Sequence, residues 1–289
     1  MSDTSGTTLE PTAAAAPTSA AASSANDTIL LIHGLWMTPR SWEHWVERYT
    51  KAGQTVLAPA WPGLDADVEA LRNDPSPIEG QGIDEIVDHY DRIIRSLDKP
   101  PIIIGHSFGG AITQRLVDRG LGAAAVAIDS APVKGVLKLP VSTLKSNFPV
   151  LSNPANRKRA LMLTEKQFHD IFASALSEED SSKAYERYAV PGSGRMVFQA
   201  AFANFNPKAH KINFANDDRA PLLFIAGGAD VLVPPTLNQS NAKLYLESKA
   251  IVAYKEFPGR CHFICGQQGW EEVADFALEW AKSPRRTGI

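Results

Sequence analysis

The chain has 289 residues, of which 44% are hydrophobic and 21% charged, and its formal net charge is −3. This ordinary balance gives no reason to expect nucleic acid or an anionic membrane surface as a partner. The two cysteines are too few for a disulfide framework, and the longest apolar runs are too short to span a bilayer. We therefore expect a globular protein with free thiols, located in the reducing cytoplasm.

The first 26 residues are almost all alanine, serine, threonine, proline and other small or polar residues. Such a segment buries too little apolar surface to offset its ordering entropy, so 1–26 is predicted to be disordered. No basic residue occurs before Arg40 and no leucine-rich stretch is present, so the segment does not have the pattern of a secretory signal.

From Thr28 onward, short apolar runs alternate with amphipathic stretches, a pattern typical of a parallel sheet flanked by helices. The runs are rich in β-branched residues and lack strict alternation, as in strands that are buried on both faces. Apolar residues at helical spacing, such as Ile86, Tyr90 and Ile93, predict helices between the strands. The six predicted strands are 29–32, 55–58, 102–104, 124–128, 222–226 and 251–257.

The alternation is interrupted between Ala131 and Pro221, where the chain shows helical patterns and no convincing strand. Helices are predicted there at 165–176, 178–188 and 195–205. This segment is too long to be a plain loop, so we expect a helical insertion that stands over the ends of the strands.

The motif Gly105-His106-Ser107-Phe108-Gly109-Gly110 lies between the third predicted strand and a predicted helix. A serine between two glycines at such a junction is typical of a nucleophile on a sharp, strained turn. Glycines are expected on both sides of the serine because the backbones pack too closely there for a Cβ. The amides at the start of the helix would stabilise negative charge that develops beside the hydroxyl. Ser107 is therefore predicted to be a catalytic nucleophile.

A serine nucleophile needs a base within hydrogen-bond reach and a third group that orients the base. His262 follows the last predicted strand, at the carboxyl edge where α/β sheets bind their ligands, and it is the predicted base. His33 and His106 adjoin glycines at strand ends and are expected to support those turns. A metal site is not expected, because Cys261 and Cys265 beside His262 offer too few ligands.

Two aspartates compete for the orienting role, Asp230 after the fifth predicted strand and Asp129 after the fourth. Either carboxylate has the chemistry to fix the imidazole tautomer and stabilise the imidazolium. We favour Asp230, because Gly227 and Gly228 let the chain turn sharply and leave its carboxylate free. Asp129 is expected to cap or hydrogen-bond the backbone at the start of the insertion.

An oxyanion site needs two preorganised amide donors. One is predicted to be the amide of Phe108, directly after the serine. The other is predicted in the loop after the first strand, with Leu35 as the first choice and Trp36 as the second.

Taken together, the His33-Gly34 loop, the Gly105–Gly110 motif, Asp230 and His262 resemble the α/β-hydrolase family over residues 28–282. The resemblance implies a catalytic triad of Ser107, His262 and Asp230, no cofactor, and a helical cap. It implies a core of 27–132 and 220–289 and a cap of 133–219. One departure is visible, since the first two strands of the family have no counterpart in the segment before Thr28.

These residues predict a serine hydrolase that cleaves a carboxylic ester, thioester or lactone through an acyl-enzyme on Ser107. Two alternatives use the same fold: a ligand-binding receptor with slow or no turnover, and a lyase, C–C hydrolase or cofactor-free peroxidase with the same triad. The substrate is expected to be a small, apolar, uncharged molecule. Its pocket is expected to be lined by aromatic residues of the first loop and the insertion, namely Trp36, Phe148, Phe172, Phe198 and Phe202.

Overall fold

The computed structural model describes residues 28–137 and 141–289, and the strand pattern of the sequence is realised in it. The disorder predicted for 1–26 lies outside the described residues. The strands are β1 (Thr28–Ile32), β2 (Thr55–Leu57), β3 (Ile102–His106), β4 (Ala124–Ile128), β5 (Ala160–Leu161), β6 (Gly192–Ser193), β7 (Leu222–Gly227) and β8 (Val252–Phe257).

The helices alternate with the strands of the main sheet, as predicted. No helix of the described ranges is both long and apolar enough to cross a bilayer. The α-helices are α1 (Glu43–Lys51), α2 (Val68–Asn73), α3 (Ile83–Arg95), α4 (Phe108–Asp118), α5 (Val141–Leu151), α6 (Glu165–Ile171), α7 (Glu178–Tyr188), α8 (Gly194–Ala201), α9 (Pro235–Lys243) and α10 (Trp270–Lys282).

The main sheet has six parallel strands in the order β2-β1-β3-β4-β7-β8, which confirms the predicted parallel sheet and its six strands. Because all the strands run the same way, their carboxyl ends lie at one edge. His106 pairs with Ile128, and Gly227 pairs with Phe257, so β3, β4, β7 and β8 all end at that edge. This alignment brings together the loops that carry the predicted site residues.

Both faces of the sheet are covered, which explains why the strands read as continuous apolar runs. Alternate residues of one strand enter different cores: Leu30 packs on the face with α3, α4 and α9, and Leu31 packs on the face with α1 and α10. The large aromatic residues Trp45 and Trp280 are fully buried in the second core. These tryptophans therefore stabilise the fold and do not contact a ligand.

Between β4 and β7 the chain leaves the sheet and forms α5 to α8, as the helical patterns predicted. The absence of a strand here was predicted wrongly, because β5 and β6 pair antiparallel, with Ala160 opposite Ser193. Each strand has only two residues and contains no β-branched run, so the sequence offered no periodicity to detect.

Candidate active site

Ser107 lies at the turn between β3 and α4 in a strained conformation, with φ 57° and ψ −119°. A non-glycine residue in such a region costs on the order of 1–3 kcal/mol and persists only where the surroundings hold it. Here the Ser107 amide donates to the Ile128 carbonyl at 2.9 Å, and the Ser107 carbonyl accepts from Ala131 at 3.0 Å. Hydrogen bonds to the end of β4 and the loop after it therefore hold the turn that presents the hydroxyl.

The glycines on either side of Ser107 are required by close backbone contact. A Cβ at Gly105 would lie 2.1 Å from the Gly109 carbonyl oxygen, and a Cβ at Gly109 would lie 2.2 Å from the Ile32 carbonyl oxygen. Neither glycine has a positive φ. Helix α4 can therefore pack directly on β1 and β3 only because both positions lack side chains.

The structure brings Ser107, His262 and Asp230 into one hydrogen-bonded chain. His262 Nε2 lies 3.0 Å from Ser107 Oγ, and His262 Nδ1 lies 2.6 Å from Asp230 Oδ2. The three residues are 4%, 0% and 3% exposed, respectively. The predicted base and the favoured acid therefore occupy the positions that a proton relay from the hydroxyl requires.

The Asp230 carboxylate is held by the loop that follows β7. Its Oδ1 accepts hydrogen bonds from the amides of Leu232 and Val233, each at 2.8 Å, which leaves Oδ2 for the imidazole. The Asp230 amide itself donates to the Gly227 carbonyl. These contacts define a tight turn that aims the carboxylate at His262.

Asp129, the competing aspartate, is fully buried beside Asp230. Its Oδ1 accepts from the Gly227 amide at 2.7 Å, and its carboxyl group lies within hydrogen-bond reach of that of Asp230. Burial raises the pKa of Asp129 well above its usual range, and the Asp230 carboxylate raises it further. The neutral form of Asp129 is therefore favoured, and Asp230 is the carboxyl group that contacts the imidazole.

The two histidines at strand ends hydrogen-bond to backbone groups around the site. Nδ1 of His33 donates to the Gly34 carbonyl at 3.0 Å, its Nε2 accepts from the Trp61 amide, and burial lowers its pKa to about 4. Nε2 of His106 donates to the His262 carbonyl at 2.9 Å, and burial also lowers the pKa of His106. Both imidazole rings are therefore neutral groups that hold the backbone around the site through hydrogen bonds.

His106, Asp129 and His262 have potential metal-ligand atoms within 4.8 Å of one another. Both nitrogens of His262 are already engaged, one with Asp230 and one with Ser107. Because a ligating imidazole must offer a free lone pair, this arrangement favours proton transfer over metal binding.

The loop after β1 packs directly on the nucleophile, since a Cβ at Gly34 would lie 2.9 Å from the Ser107 Cβ. The amides of Leu35 and Phe108 have no hydrogen-bond acceptor within residues 28–137 and 141–289, so both are available to a ligand oxygen. The Trp36 amide is equally available, and Trp36 has a φ of 64°. The choice between Leu35 and Trp36 as an oxyanion donor therefore stays a prediction.

A cavity of about 50 Å³ opens beside Ser107. Its wall is mostly apolar and comes from the segments that follow four strands, β1, β3, β4 and β7, and from the helices between β4 and β7. Besides Ser107 it is lined by Trp36, Phe108, Ala131, Pro132, Thr143, Leu151, Val197, Ala200, Ala201, Leu232 and Val233. Sequence reasoning missed most of these residues because they are small or aliphatic. Their one detectable signal is position, since Ala131, Pro132, Leu232 and Val233 lie in the loops that follow β4 and β7.

The structure corrects the prediction of an aromatic pocket. Of the five residues predicted to line it, Trp36 alone is among the described residues that line the cavity. Phe148 is 66% exposed and Phe202 is 50% exposed, and Phe202 stacks on Phe198. Phe148, Phe198 and Phe202 are not among the described residues that line the cavity beside Ser107. Phe172 is buried, with its ring edge-on to His262 at 4.7 Å between centroids, so it packs against the imidazole instead.

Comparisons with known proteins agree on the fold. A family model described as alpha/beta hydrolase family matches residues 29–276. No curated protein sequence matches the chain. Among solved structures, the monoacylglycerol lipase of Paleococcus ferrophilus has a TM-score of 0.63 at 24% identity, covering 89% of this chain and 94% of that one.

Two further solved structures are similar in shape. An extracellular alpha/beta-hydrolase from a Paenibacillus species, described as homologous in structure and function to tobacco salicylic acid binding protein 2, has a TM-score of 0.64 at 19% identity, covering 89% of this chain and 99% of that one. A pyrethroid hydrolase from Sphingobium faniae has a TM-score of 0.61 at 17% identity, covering 89% and 98%. At these identities the likeness shows the shared fold alone.

Proposed function

The chain belongs to the alpha/beta hydrolase family, and from that premise we propose that it is a serine hydrolase. In the proposed reaction it cleaves a carboxylic ester, thioester or lactone through an acyl-enzyme on Ser107. The observation that carries the proposal is the chain of contacts from the Ser107 hydroxyl through His262 to Asp230, at 3.0 and 2.6 Å. Such a chain supplies the base and the orienting carboxylate that a serine needs at neutral pH.

The proposed mechanism moves one proton back and forth. Ser107 Oγ attacks the carbonyl carbon while its proton passes to His262 Nε2, and Asp230 stabilises the imidazolium. The amides of Phe108 and Leu35 receive the negative oxygen of the tetrahedral intermediate. His262 then returns the proton to the leaving alkoxide or thiolate as its bond to the carbonyl carbon breaks. Water releases the acid from the acyl-enzyme by the same steps.

The proposed acyl group is short and apolar. A water needs on the order of 10–15 Å³ of such space, so the cavity of about 50 Å³ beside Ser107 holds a few non-hydrogen atoms. Its wall offers aliphatic groups such as Val197 and Leu232 and no charged side chain. This supports acetyl to butyryl groups over long acyl chains.

The proposed setting is the cytoplasm, with a small ester-like molecule as the partner and neither nucleic acid nor a membrane involved. The support is chemical: Cys261 and Cys265 are both free and buried thiols, which suits a reducing compartment. No cofactor enters the proposed reaction.

A direct test is hydrolysis of p-nitrophenyl acetate, butyrate and octanoate together with labelling by an organophosphate. The proposal expects one label per chain, on Ser107, and turnover that is faster on acetate and butyrate than on octanoate. Both signals should be lost in Ser107→Ala, while a half-buried control outside the cavity, Ser240→Ala on α9, keeps them.

The alternatives predict other results in the same experiment. A protein that binds small ligands yet neither labels nor turns over is a receptor. Labelling of Ser107 without hydrolysis of any ester or lactone would point to a lyase, C–C hydrolase or peroxidase, which a cyanohydrin, a diketone and a peroxide assay would separate.

A further inference from the structure

A second cleft, of about 260 Å³, lies between α4 of the core and the segment that carries α8. Its lining is strongly basic, in contrast to the apolar cavity beside Ser107. Against one acidic residue, Asp84, it presents five lysines and arginines and one histidine, namely Arg115, Lys134, Arg157, Arg195, Lys208 and His210.

Three of these cations are not neutralised by the protein. Lys134, Arg157 and Lys208 have no carboxylate within 4.0 Å anywhere in the described chain. Lys134 Nζ is held in place by the carbonyls of Asn206, at 2.8 Å, and Ala209, at 3.3 Å, so its position is set while its charge is uncompensated. The cleft therefore keeps a net positive charge that favours an anion.

Arg115 forms the inner wall of the cleft and is 8% exposed. Its Nη2 donates to Asp84 Oδ1 at 2.5 Å, but its Nε is buried and has no acceptor within the described residues. A buried guanidinium donor without an acceptor is costly. Arg115 therefore keeps one donor unused at the inner wall of the cleft.

The cleft adjoins the cavity of the proposed active site. Pro132 and Ala200 line both spaces, so the two share a wall. Along α4, Phe108 lines the cavity whereas Ala111 and Arg115 line the cleft. At a rise of 1.5 Å per residue, the backbone of Arg115 lies about 12 Å along the helix from Ser107.

We propose that the basic cleft binds an anionic group, a carboxylate or a phosphate, that belongs to the alcohol part of the ester substrate. This inference rests on the proposed hydrolase function and extends it. The short acyl group enters the apolar cavity beside Ser107, and a spacer of on the order of 10 Å reaches the part of the cleft that Arg115 lines. The substrate is then an amphiphile with a negative end, which revises the expectation of a wholly uncharged molecule.

The test compares two acetate esters that differ only in charge: 3-(4-acetoxyphenyl)propionate and its methyl ester. Each is assayed with the full chain and with the variant Arg157→Glu/Lys208→Glu, whose two side chains are exposed. Lys134→Gln is a third protein, which removes one charge yet keeps a donor for the Asn206 and Ala209 carbonyls. The matched control is Lys249→Glu/Lys282→Glu, which makes the same change of net charge at exposed positions outside the cleft.

The proposal expects kcat/KM for the anionic ester to fall about tenfold in Arg157→Glu/Lys208→Glu and less in Lys134→Gln, through KM. The methyl ester should change less than about twofold, and the control should affect both esters equally. Added salt should slow the anionic ester selectively, because screening weakens its attraction to the cleft.

Equal losses on both esters, or no loss on the anionic one, would overturn the cleft proposal while leaving the hydrolase function intact. If the wild-type protein hydrolyses neither ester, the proposed function fails. The cleft is then judged by calorimetric binding of 3-(4-hydroxyphenyl)propionate: binding that weakens in Arg157→Glu/Lys208→Glu supports an anion site, and no binding rejects it.

Discussion

The two walls of the proposed active site are built in different ways. On the sheet side, Ser107, Asp230 and His262 lie in the turns and loops that follow β3, β7 and β8, are at most 4% exposed, and are fixed by backbone hydrogen bonds. On the side of the insertion, α5 and α8 contribute aliphatic residues, and several aromatic rings nearby face solvent, including Phe205 at 82% exposure.

The difference between the two walls suggests that the sheet side carries the chemistry and the side of the insertion sets the substrate specificity. A reacting group must be held within a fraction of an ångström, and the close contacts of Gly105 and Gly109 provide that rigidity. A substrate wall has only to exclude water and set a volume, so many residues serve there. Substitutions on the sheet side should therefore abolish turnover, and those on the side of the insertion should change which substrate is used.

The largest effect is expected from Ser107→Ala. Removal of the nucleophile should lower kcat/KM for p-nitrophenyl acetate by about 10⁴-fold or more, because the hydroxyl that forms the acyl-enzyme is gone. The free energy of unfolding, from urea titration, should change little. Activity within tenfold of wild type would show that the sheet side does not carry the chemistry.

The two neighbouring aspartates should differ sharply. Asp230→Asn is expected to lower kcat by about 10³–10⁴-fold, because the amide disturbs the imidazole tautomer and does not stabilise the imidazolium. Asp129→Asn should cost less than about tenfold, because an amide imitates the neutral carboxyl group that burial favours there. Steady-state kinetics of the two variants, made and assayed side by side, test this. A larger loss of kcat in Asp129→Asn than in Asp230→Asn would show that Asp129 is the carboxylate that orients the imidazole.

Filling the aliphatic wall should alter selectivity without loss of chemistry. Ala201→Leu on α8 places bulk in the cavity beside Ser107, so kcat/KM for p-nitrophenyl butyrate should fall about tenfold relative to acetate. Ala155→Leu, at an exposed position of the insertion, is the control and should leave the ratio of the two esters unchanged. A uniform loss on both esters would mean that the cavity does not hold the acyl group.

Asp129 also predicts a pH dependence of stability. Its pKa is raised in the folded state, so folding takes up a proton, and stability is lost as pH rises from the unfolded value of about 3.8 towards the folded value. Asp129→Asn removes this loss of stability. As pH rises through that range, the unfolding free energy of the variant relative to wild type should increase by up to about 1.4 kcal/mol per pH unit. Urea unfolding at pH 5 and pH 7 measures the difference. A constant difference would indicate that Asp129 ionises normally.

The smallest effect is expected where the insertion meets the loop after β1. Trp36 Nε1 donates to the Leu161 carbonyl at 3.1 Å, and the Trp36 carbonyl accepts from Val190 at 2.9 Å. Trp36→Phe removes the first bond and keeps the ring, so it should cost about 1 kcal/mol in unfolding free energy and change kcat a few-fold. Thermal unfolding and kinetics on acetate check this. Loss of activity comparable to that of Ser107→Ala would place Trp36 in the chemistry itself.

The fold and the sheet side of the site could be predicted from the sequence because their signals are local. A β-branched run predicts a buried strand, and a glycine on each side of a serine predicts a tight turn, whatever lies elsewhere in the chain. Chain order then placed Asp230 and His262 at the ends of later strands. The substrate wall has no such signal, since Leu151, Val197 and Ala201 are ordinary helix residues. Of the five aromatic residues predicted to line it, Trp36 alone does so among the described residues.

The amino-acid order alone determined the parallel sheet and the three side chains at its edge, because apolar β-branched runs and a serine between two glycines are patterns of neighbouring residues. Tertiary structure alone decided the shape of the cavity, the neutral state favoured for Asp129, and the meeting of Arg115 with Lys134, Arg157 and Lys208 around one cleft. Each of these depends on the distance and burial of groups that are far apart in the chain. Volume and electrostatic environment arise only when helices pack against the sheet.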